Sequence, residues 1–496
     1  MKASEKHTKI KENGRIYTPA HIVKNMLSML GYSNKSILEK HIIDNSAGDG
    51  AFLTAVVETY CEIFLKNNDD RAELKQHLST FIHGVEIDKT EHAKCISNLN
   101  EIAAKYGICG VSWDIICADT LTISKYNNKM DYVIGNPPYV RIHNLAKNRL
   151  KVKKLSFCEK GMPNLYLAFI EIGLRMLKQD GKMCLITPSS CLRSQAGIKL
   201  REYISAERNL TKIVDLGHYQ AFNAKTYTMI TLFEKSRKVD RLDYYTYNNN
   251  KLRPVFRASL SYSDIFIGRK IYVSDLKQLK LLKQIEEHYQ NAVRKVVVKN
   301  GITTLADSVF IADFNFKTCV IDIIKASTSE THKCIFPYSA DGSAMTIDEL
   351  KKKHADVYNY LLQNKNILEK RDLEKGGSWF LLGRTQGLKD VFQDKITINT
   401  NIKGIKDIRL NNAPAGTGIY NGLYILNNNH TFEKISAVLK SDDFIEYLQI
   451  LKNYKNAGYY TISSTELAKY LTYRLETSVH LPNIRKILEN IRDCVA

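Results

Sequence analysis

Asn136-Pro137-Pro138-Tyr139 follows the apolar run Asp131-Tyr132-Val133-Ile134-Gly135, and residues of these types in this order suit one chemical task. The nitrogen of a planar, conjugated exocyclic amine shares its lone pair with the ring and is a poor nucleophile. An Asn side-chain oxygen and a neighbouring backbone carbonyl can each accept one of its two protons. Both bonds favour a more tetrahedral nitrogen, whose lone pair can attack a methyl group held in line. Two prolines hold that carbonyl on a stiff backbone with fixed φ and no competing N–H. The Tyr adds a flat face on which a base can stack. The plainer reading, that Pro-Pro ends a strand and Tyr139 caps apolar surface, weakens once the preceding segments are read.

His41-Ile42-Ile43-Asp44-Asn45-Ser46-Ala47-Gly48-Asp49-Gly50-Ala51-Phe52-Leu53 reads as an apolar strand, a small-residue turn and a helix. Gly48 and Gly50 let the backbone approach a ligand, and Asp44 at the strand end could receive an ammonium group. Phosphate is disfavoured, because Asp44 and Asp49 would repel an anion and no Walker Lys-Ser/Thr follows. Gly84-Val85-Glu86-Ile87-Asp88 closes the next strand with an acid placed to accept both hydroxyls of a ribose. Asp119 ends a third strand, Ile115-Ile116-Cys117-Ala118-Asp119, where it could accept from an adenine amino group. Each acid alone is an ordinary solvated strand end. Three at successive strand ends, followed by the amine motif at a fourth, converge on one crevice at the carboxyl edge of a sheet. Together they describe a nucleoside carrying a cation, which S-adenosylmethionine fits better than NAD.

The elements that must position these residues alternate between strand and helix from about residue 17 to 235. Strand-like runs lie at His41–Asp44, Phe81–Glu86, Trp113–Cys117, Tyr132–Gly135, Lys182–Thr187, Lys212–Leu216 and Thr228–Phe233. Helix-length segments include Ala51–Leu65, Thr90–Tyr106 and Leu165–Leu177. This is the pattern of a doubly wound α/β domain. The short spacing of the last two strands predicts a hairpin, and so an antiparallel strand at the sheet edge. Beyond Ser236 the texture turns irregular and Asn-rich (Asn248-Asn249-Asn250, Asn427-Asn428-Asn429), with amphipathic helices predicted over Asp275–Tyr289 and Phe444–Tyr454. Two domains are expected, over 1–236 and 237–496.

Among the 496 residues, 72 Lys+Arg against 52 Asp+Glu give a net charge of +20, spread through both halves, so a polyanion such as nucleic acid is the expected partner. An anionic membrane surface is the competing reading, but no strongly amphipathic basic helix stands out. Met1-Lys2-Ala3-Ser4-Glu5-Lys6-His7 is polar, and no span approaches 18 apolar residues, so a cytoplasmic location is expected. Ten Cys without a CxxC pair suggest neither zinc nor a disulfide framework, and no metal is expected.

In this combination the residues resemble the gamma-class amino DNA methyltransferases, the adenine-N6 enzymes of type II restriction–modification systems. Such proteins open on a segment like Tyr17-Thr18-Pro19, pass through the cofactor turn and the acid of the second strand, and reach Asn-Pro-Pro-Tyr before any recognition domain. Here Thr18 is expected to cap the helix through Leu30, with Pro19 at its first position. Asn164-Leu165-Tyr166-Leu167-Ala168-Phe169 resembles the family stretch whose Phe stacks on the extruded base; Gly181–Pro188 and Ala221-Phe222-Asn223-Ala224 continue the match. Only residues 120 to 135 lie between Asp119 and Asn136, so a recognition domain belongs in the C-terminal half, the gamma arrangement. Asn45-Ser46-Ala47 departs from the family's Pro-Ala-Cys, although Ala47 keeps that position small.

The resemblance implies a seven-stranded S-adenosylmethionine-dependent methyltransferase domain with an antiparallel edge hairpin, followed by a mixed α+β target-recognition domain with C-terminal helices. The cofactor would lie on Tyr17, Thr18, Asp44, Ala47, Gly48, Gly50, Glu86, Ile87 and Asp119. Asn136, Pro137, Pro138 and Tyr139 would be catalytic, with Tyr139 and Phe169 stacking a flipped adenine. Ile335–Tyr338 and Trp379–Leu388 loosely resemble recognition-domain segments, in which Arg384 and Gln386 carry donors for guanine and adenine edges; phosphate contact or plain exposure is the simpler role for either. Transfer would be direct, since no Pro-Cys nucleophile is in place. Implied with it are double-stranded DNA as partner, a cognate restriction endonuclease and a monomeric state. Methylation of RNA or of a glutamine amide, an orphan regulatory methylase, a restriction–modification fusion and a catalytically silent DNA-binding protein are the rivals. The large basic C-terminal half argues against a protein substrate, and the intact motif against silence.

Overall fold

The computed structural model describes residues 18–142, 149–219, 222, 226–374, 376–426 and 430–476. Tyr17, Ala221, Asn223, Ala224 and the Asn427–Asn429 run lie outside them. The chain divides into two compact units, Met1–Lys283 and Gln284–Ala496.

The first unit is built on one sheet of nine strands: β1 Ile42–Asp44, β2 Ile82–Glu86, β3 Asp114–Cys117, β4 Met130–Gly135, β5 Leu177–Pro188, β6 Leu210–Asp215, β7 Thr228–Glu234, β8 Arg241–Asn248 and β9 Arg253–Ser261. Their order is β3-β2-β1-β4-β5-β7-β6-β8-β9. The first five run parallel, as strands covered by helices on both faces do. Ile42, Ile43, Val85, Val133 and Ile134 are fully buried, so the β-branched runs that signalled strands are the centre of the core. Helix Ala51–Leu65 lays Phe52, Leu53, Val56, Val57, Tyr60 and Phe64 into it. At Gly84 of β2 a Cβ would stand 2.9 Å from Leu53 Cδ1, so glycine admits close helix–strand packing there. Asp70 and Asp88 cap the helices Arg71–Phe81 and Lys89–Lys105 through their side chains.

Several expectations meet a different structure. The hairpin of β6 and β7 forms, but β7 lies between β5 and β6, antiparallel to both, and is not at the edge. The sheet continues past it, with β8 parallel to β6 and β9 antiparallel to β8, giving nine strands where seven were expected. The Asn-rich segment that suggested a boundary is the turn of this added hairpin, with Asn248 Oδ1 accepting from the backbone N–H of Asn250 and Lys251. A cut at 236 therefore falls inside one sheet, and the compact unit runs on to Lys283, within helix Leu276–Asn291. Finally, helix Ala20–Leu30 is capped by Pro19 with no side-chain cap bond, and Thr18 stands outside it. Gly31 ends that helix at φ 77°, the left-handed conformation that glycine takes without strain.

The second unit mixes two four-stranded sheets with helices that include Ile347–Lys353, Ala355–Gln363, Asp442–Leu451 and Ser464–Glu476. Its main core joins Phe310, Phe336, Leu350, Val357, Leu361 and Phe380. Among the described residues no helix is long and apolar enough to cross a membrane, and no cluster of His, Cys, Asp and Glu could hold a metal ion.

Candidate active site

Because β2 and β3 extend from one side of β1 while β4 pairs on the other, a topological switch point opens between β1 and β4. Ligands of doubly wound sheets bind outside the carboxyl ends of such strands. Asp44 ends β1 and Asn136 follows β4, so the two residue types with the most specific expected roles flank that point.

Asp44 is 1% exposed. Its Oδ1 accepts from Ser46 N (2.8 Å) and Ser46 Oγ (3.4 Å), while its buried Oδ2 has no hydrogen-bond partner among the described residues. Burial, with Glu86 nearby, pushes its pKa up to about 7. A buried acceptor left this way is costly unless a donor or cation arrives. At Gly135 a Cβ would stand 2.6 Å from Asp44 Oδ1, so the glycine before Asn136 is what lets β4 close against this carboxyl group.

Glu86 spans the turn: Oε2 accepts from Gly48 N and Oε1 from Asp88 N, both at 2.8 Å. Gly48 has φ 56° and nothing within 4 Å of where a Cβ would be, which leaves open space over its backbone. Gly50 has φ 89°, and a Cβ there would meet Cys95 Sγ at 2.9 Å. Ala47 is buried and donates its N–H to Val85 O (3.0 Å). Ile87, beside Glu86, is 62% exposed and offers a bare aliphatic surface. Asp119 caps the short turn Thr120–Thr122 through Leu121 N (3.0 Å), and Lys151 Nζ stands 3.7 Å from its Oδ2.

Asn136 Nδ2 donates to Thr18 Oγ1 (3.1 Å), which explains why Thr18 does not cap its helix and assigns Oδ1 as the amide's acceptor. Ser46 Oγ reaches Asn136 O at 3.3 Å. Ser46 thus touches both Asp44 and Asn136, a link that the sequence signalled only as a departure from the family's turn. Tyr139 donates its hydroxyl to Ile186 O (3.0 Å), and burial holds that hydroxyl well above its usual pKa. The rings of Tyr166 and Phe222 stand edge-on to it, with centroids 6.2 and 6.3 Å away.

Phe169 is 6% exposed within helix Leu165–Met176, where its carbonyl accepts from Asn45 Nδ2 (3.5 Å). The rings beside Tyr139 are those of Tyr166 and Phe222, to which sequence reasoning gave no role. In the second unit, Arg384 is held by its own surroundings: Nη1 donates to the carbonyls of Gly383 and Asp372, and the guanidinium lies 4.0 and 3.9 Å from the carboxylates of Asp372 and Glu374. Gln386 Nε2 donates to Gly301 O (3.0 Å) and Thr303 Oγ1 (2.9 Å). Both side chains commit donors within the unit.

Residues 33–222 match the family described as Eco57I restriction-modification methylase. The Type II methyltransferase M.BstVI of Geobacillus stearothermophilus is 24% identical over 479 residues, covering 86% of this chain and 84% of that protein. The Type II restriction enzyme and methyltransferase RM.Eco57I of Escherichia coli is also 24% identical, over 86% of this chain, but the chain spans only 53% of its length. Among solved structures, the Type IIL restriction-modification enzyme MmeI in complex with DNA aligns over 93% of this chain and 64% of its own, with a TM-score of 0.59 at 12% identity. A DrdV–DNA complex aligns over 95% of this chain and 57% of its own, at a TM-score of 0.57 and 12% identity. The structural likenesses are likenesses of fold. With the family match and the curated relatives, the resemblance to type II restriction–modification methylases stands.

Proposed function

We propose that this chain is a site-specific DNA methyltransferase, moving a methyl group from S-adenosylmethionine to N6 of an adenine extruded from duplex DNA, in a restriction–modification setting. The observation that carries this reading is the juxtaposition at the switch point of a buried, half-satisfied Asp44 with the Asn136 motif, joined through Ser46. The residues present fit the cofactor: Asp44 Oδ2 suits an ammonium, the open backbone at Gly48 suits close approach, and Glu86 and the bare Ile87 suit a ribose and a flat base. When bound, S-adenosylmethionine supplies an electrophilic methyl group on a sulfonium.

The chain's own residues do the rest. Asn136 Oδ1 and the Pro137 carbonyl accept the two amino protons of the adenine, concentrating the lone pair on N6. Positive charge that would build on that nitrogen as it took the methyl group from the sulfonium would be stabilised by the same two acceptors. One amino proton then leaves to solvent, and the base returns neutral. Tyr139, anchored by its hydroxyl to Ile186 O, keeps its ring fixed for stacking. The second unit is assigned to reading the DNA sequence.

Asn136→Ala tests the reading. Cofactor and DNA binding should persist, while single-turnover methylation falls on the order of a hundredfold. Near-normal turnover by the variant, or modified-base sequencing that finds no N6-methyladenine in DNA from cells expressing the wild-type chain, would overturn it.

A further inference from the structure

The chain leaves the catalytic motif on an excursion and returns to it. Leu165 N donates to Val140 O (2.8 Å), Ile142 N to Pro163 O (3.1 Å), and Arg141 bridges Asn164, so the segment from about 141 to 163 is pinned at its neck one residue past Tyr139. Its described part, 149–162, is fastened firmly. Val152, Phe157 and Cys158 are buried, and Glu171 of helix Leu165–Met176 accepts from Phe157 N (2.8 Å) and Ser156 Oγ (3.1 Å). Lys151 reaches Asp119 at the end of β3, which places this segment over the carboxyl edge of the sheet.

A segment so well anchored has apolar side chains to bury, yet it leaves Leu150 76% and Met162 66% exposed. Between them in the sequence lie Lys153, Lys154 and Lys160, all exposed, and over 149–162 Glu159 is the sole acid against five Lys/Arg. Aliphatic tips among lysines match a partner that presents flat apolar surface inside an envelope of negative charge. Duplex DNA does so: stacked base pairs within, phosphates without.

We propose that Leu150 and Met162 are a wedge that enters the duplex beside the target adenine and occupies the space its base vacates, while Lys153, Lys154 and Lys160 hold the flanking phosphates. This rests on the DNA-methylating reading above. Such wedges offset an unstacking cost of a few kcal/mol. Their contribution is to extrusion, beside the acids and acceptors assigned to the cofactor and the base.

The test uses the full chain, a duplex carrying the site found methylated in cells, and the same duplex with a mismatch opposite the target adenine, which needs less work to open. The double variant Leu150→Gln/Met162→Gln should bind S-adenosylmethionine as the wild type does and methylate the matched duplex at least tenfold more slowly. On the mismatched duplex it should recover most of that loss. Leu150→Phe, which keeps apolar bulk, should stay within about twofold of wild type on both. Equal slowing on the two duplexes would overturn the wedge, and so would unchanged rates on both, which would assign the surface to a protein partner instead. Wild-type chain that methylates no duplex would overturn the functional reading itself.

Discussion

In the proposed function, Asp44 sets stability against cofactor binding. Burial above all, with Glu86 and Asp49 adding, pushes its carboxyl pKa up to about 7. Between the ordinary carboxylate value of 3.8 and about 7, the folded chain holds a proton that the unfolded chain has released. Stability therefore falls as pH rises through that window, and above it the fold carries the full cost of a buried carboxylate, a few kcal/mol. Asp44→Asn removes that cost. The variant free of cofactor should melt several degrees above wild type at pH 8, with the gain vanishing near pH 4. Its affinity for S-adenosylmethionine should drop at least tenfold. In wild type, an ammonium at Oδ2 favours the ionised acid, so binding at pH 6 should release close to one proton, read from calorimetry in buffers of different ionisation enthalpy. Absence of both the alkaline stabilisation and the proton release would return Asp44 to a purely structural role.

The turn between β1 and helix Ala51–Leu65 tests the same site one level up. Gly50 holds a left-handed φ of 89° with Cys95 Sγ lying 2.9 Å from any added Cβ, so Gly50→Ala meets both strain and a clash. A cost of about 1–3 kcal/mol follows, seen as a lower melting temperature together with weaker cofactor binding, because the displaced turn carries the Gly48 N–H that Glu86 accepts. Unchanged melting and binding would mean the turn is more pliant than its packing implies. Sequence made this level legible where composition was one-sided. The apolar and β-branched runs gave the first seven strands, and helix Ala51–Leu65 was foreseen to the residue. It failed where pattern was thin: helix Arg71–Phe81 buries only Leu74 and Leu78, too few to show a period. β8 and β9 were missed because their turn, rich in Asn, imitates a linker. Phe169 was singled out through the family stretch, and Tyr166 was not, because residues 165–174 are all buried and no apolar face distinguishes one ring from another. The convergence of Asp44, Glu86 and Asn136 on one switch point was legible because each ends or directly follows a strand of the sheet.

The whole molecule raises the question of where the first unit can be cut. β6 is buried along most of its length and pairs on one side with β7 and on the other with β8, over Lys212↔Asp243 to Asp215↔Thr246. Removing everything after 236 would strip that second side and expose a run of unpaired backbone flanked by Leu210, Ile213 and Val214, a ready template for aggregation. The loss reaches the candidate site as well. Asn25, on helix Ala20–Leu30, donates to Leu252 O (2.9 Å), and the rings of Tyr247 and Tyr219 meet at a tilt of 33° with centroids 4.8 Å apart. That helix follows directly on Thr18, the partner of Asn136. A fragment ending at 283 should therefore be soluble, melt cooperatively and bind S-adenosylmethionine within a fewfold of the full chain, without discriminating DNA sites. A fragment ending at 236 should aggregate, or bind the cofactor at least tenfold more weakly. Size-exclusion chromatography and calorimetry on the two decide it: if the shorter piece is equally stable and binds equally well, β8 and β9 are an appendage and the functional boundary lies at 236 after all.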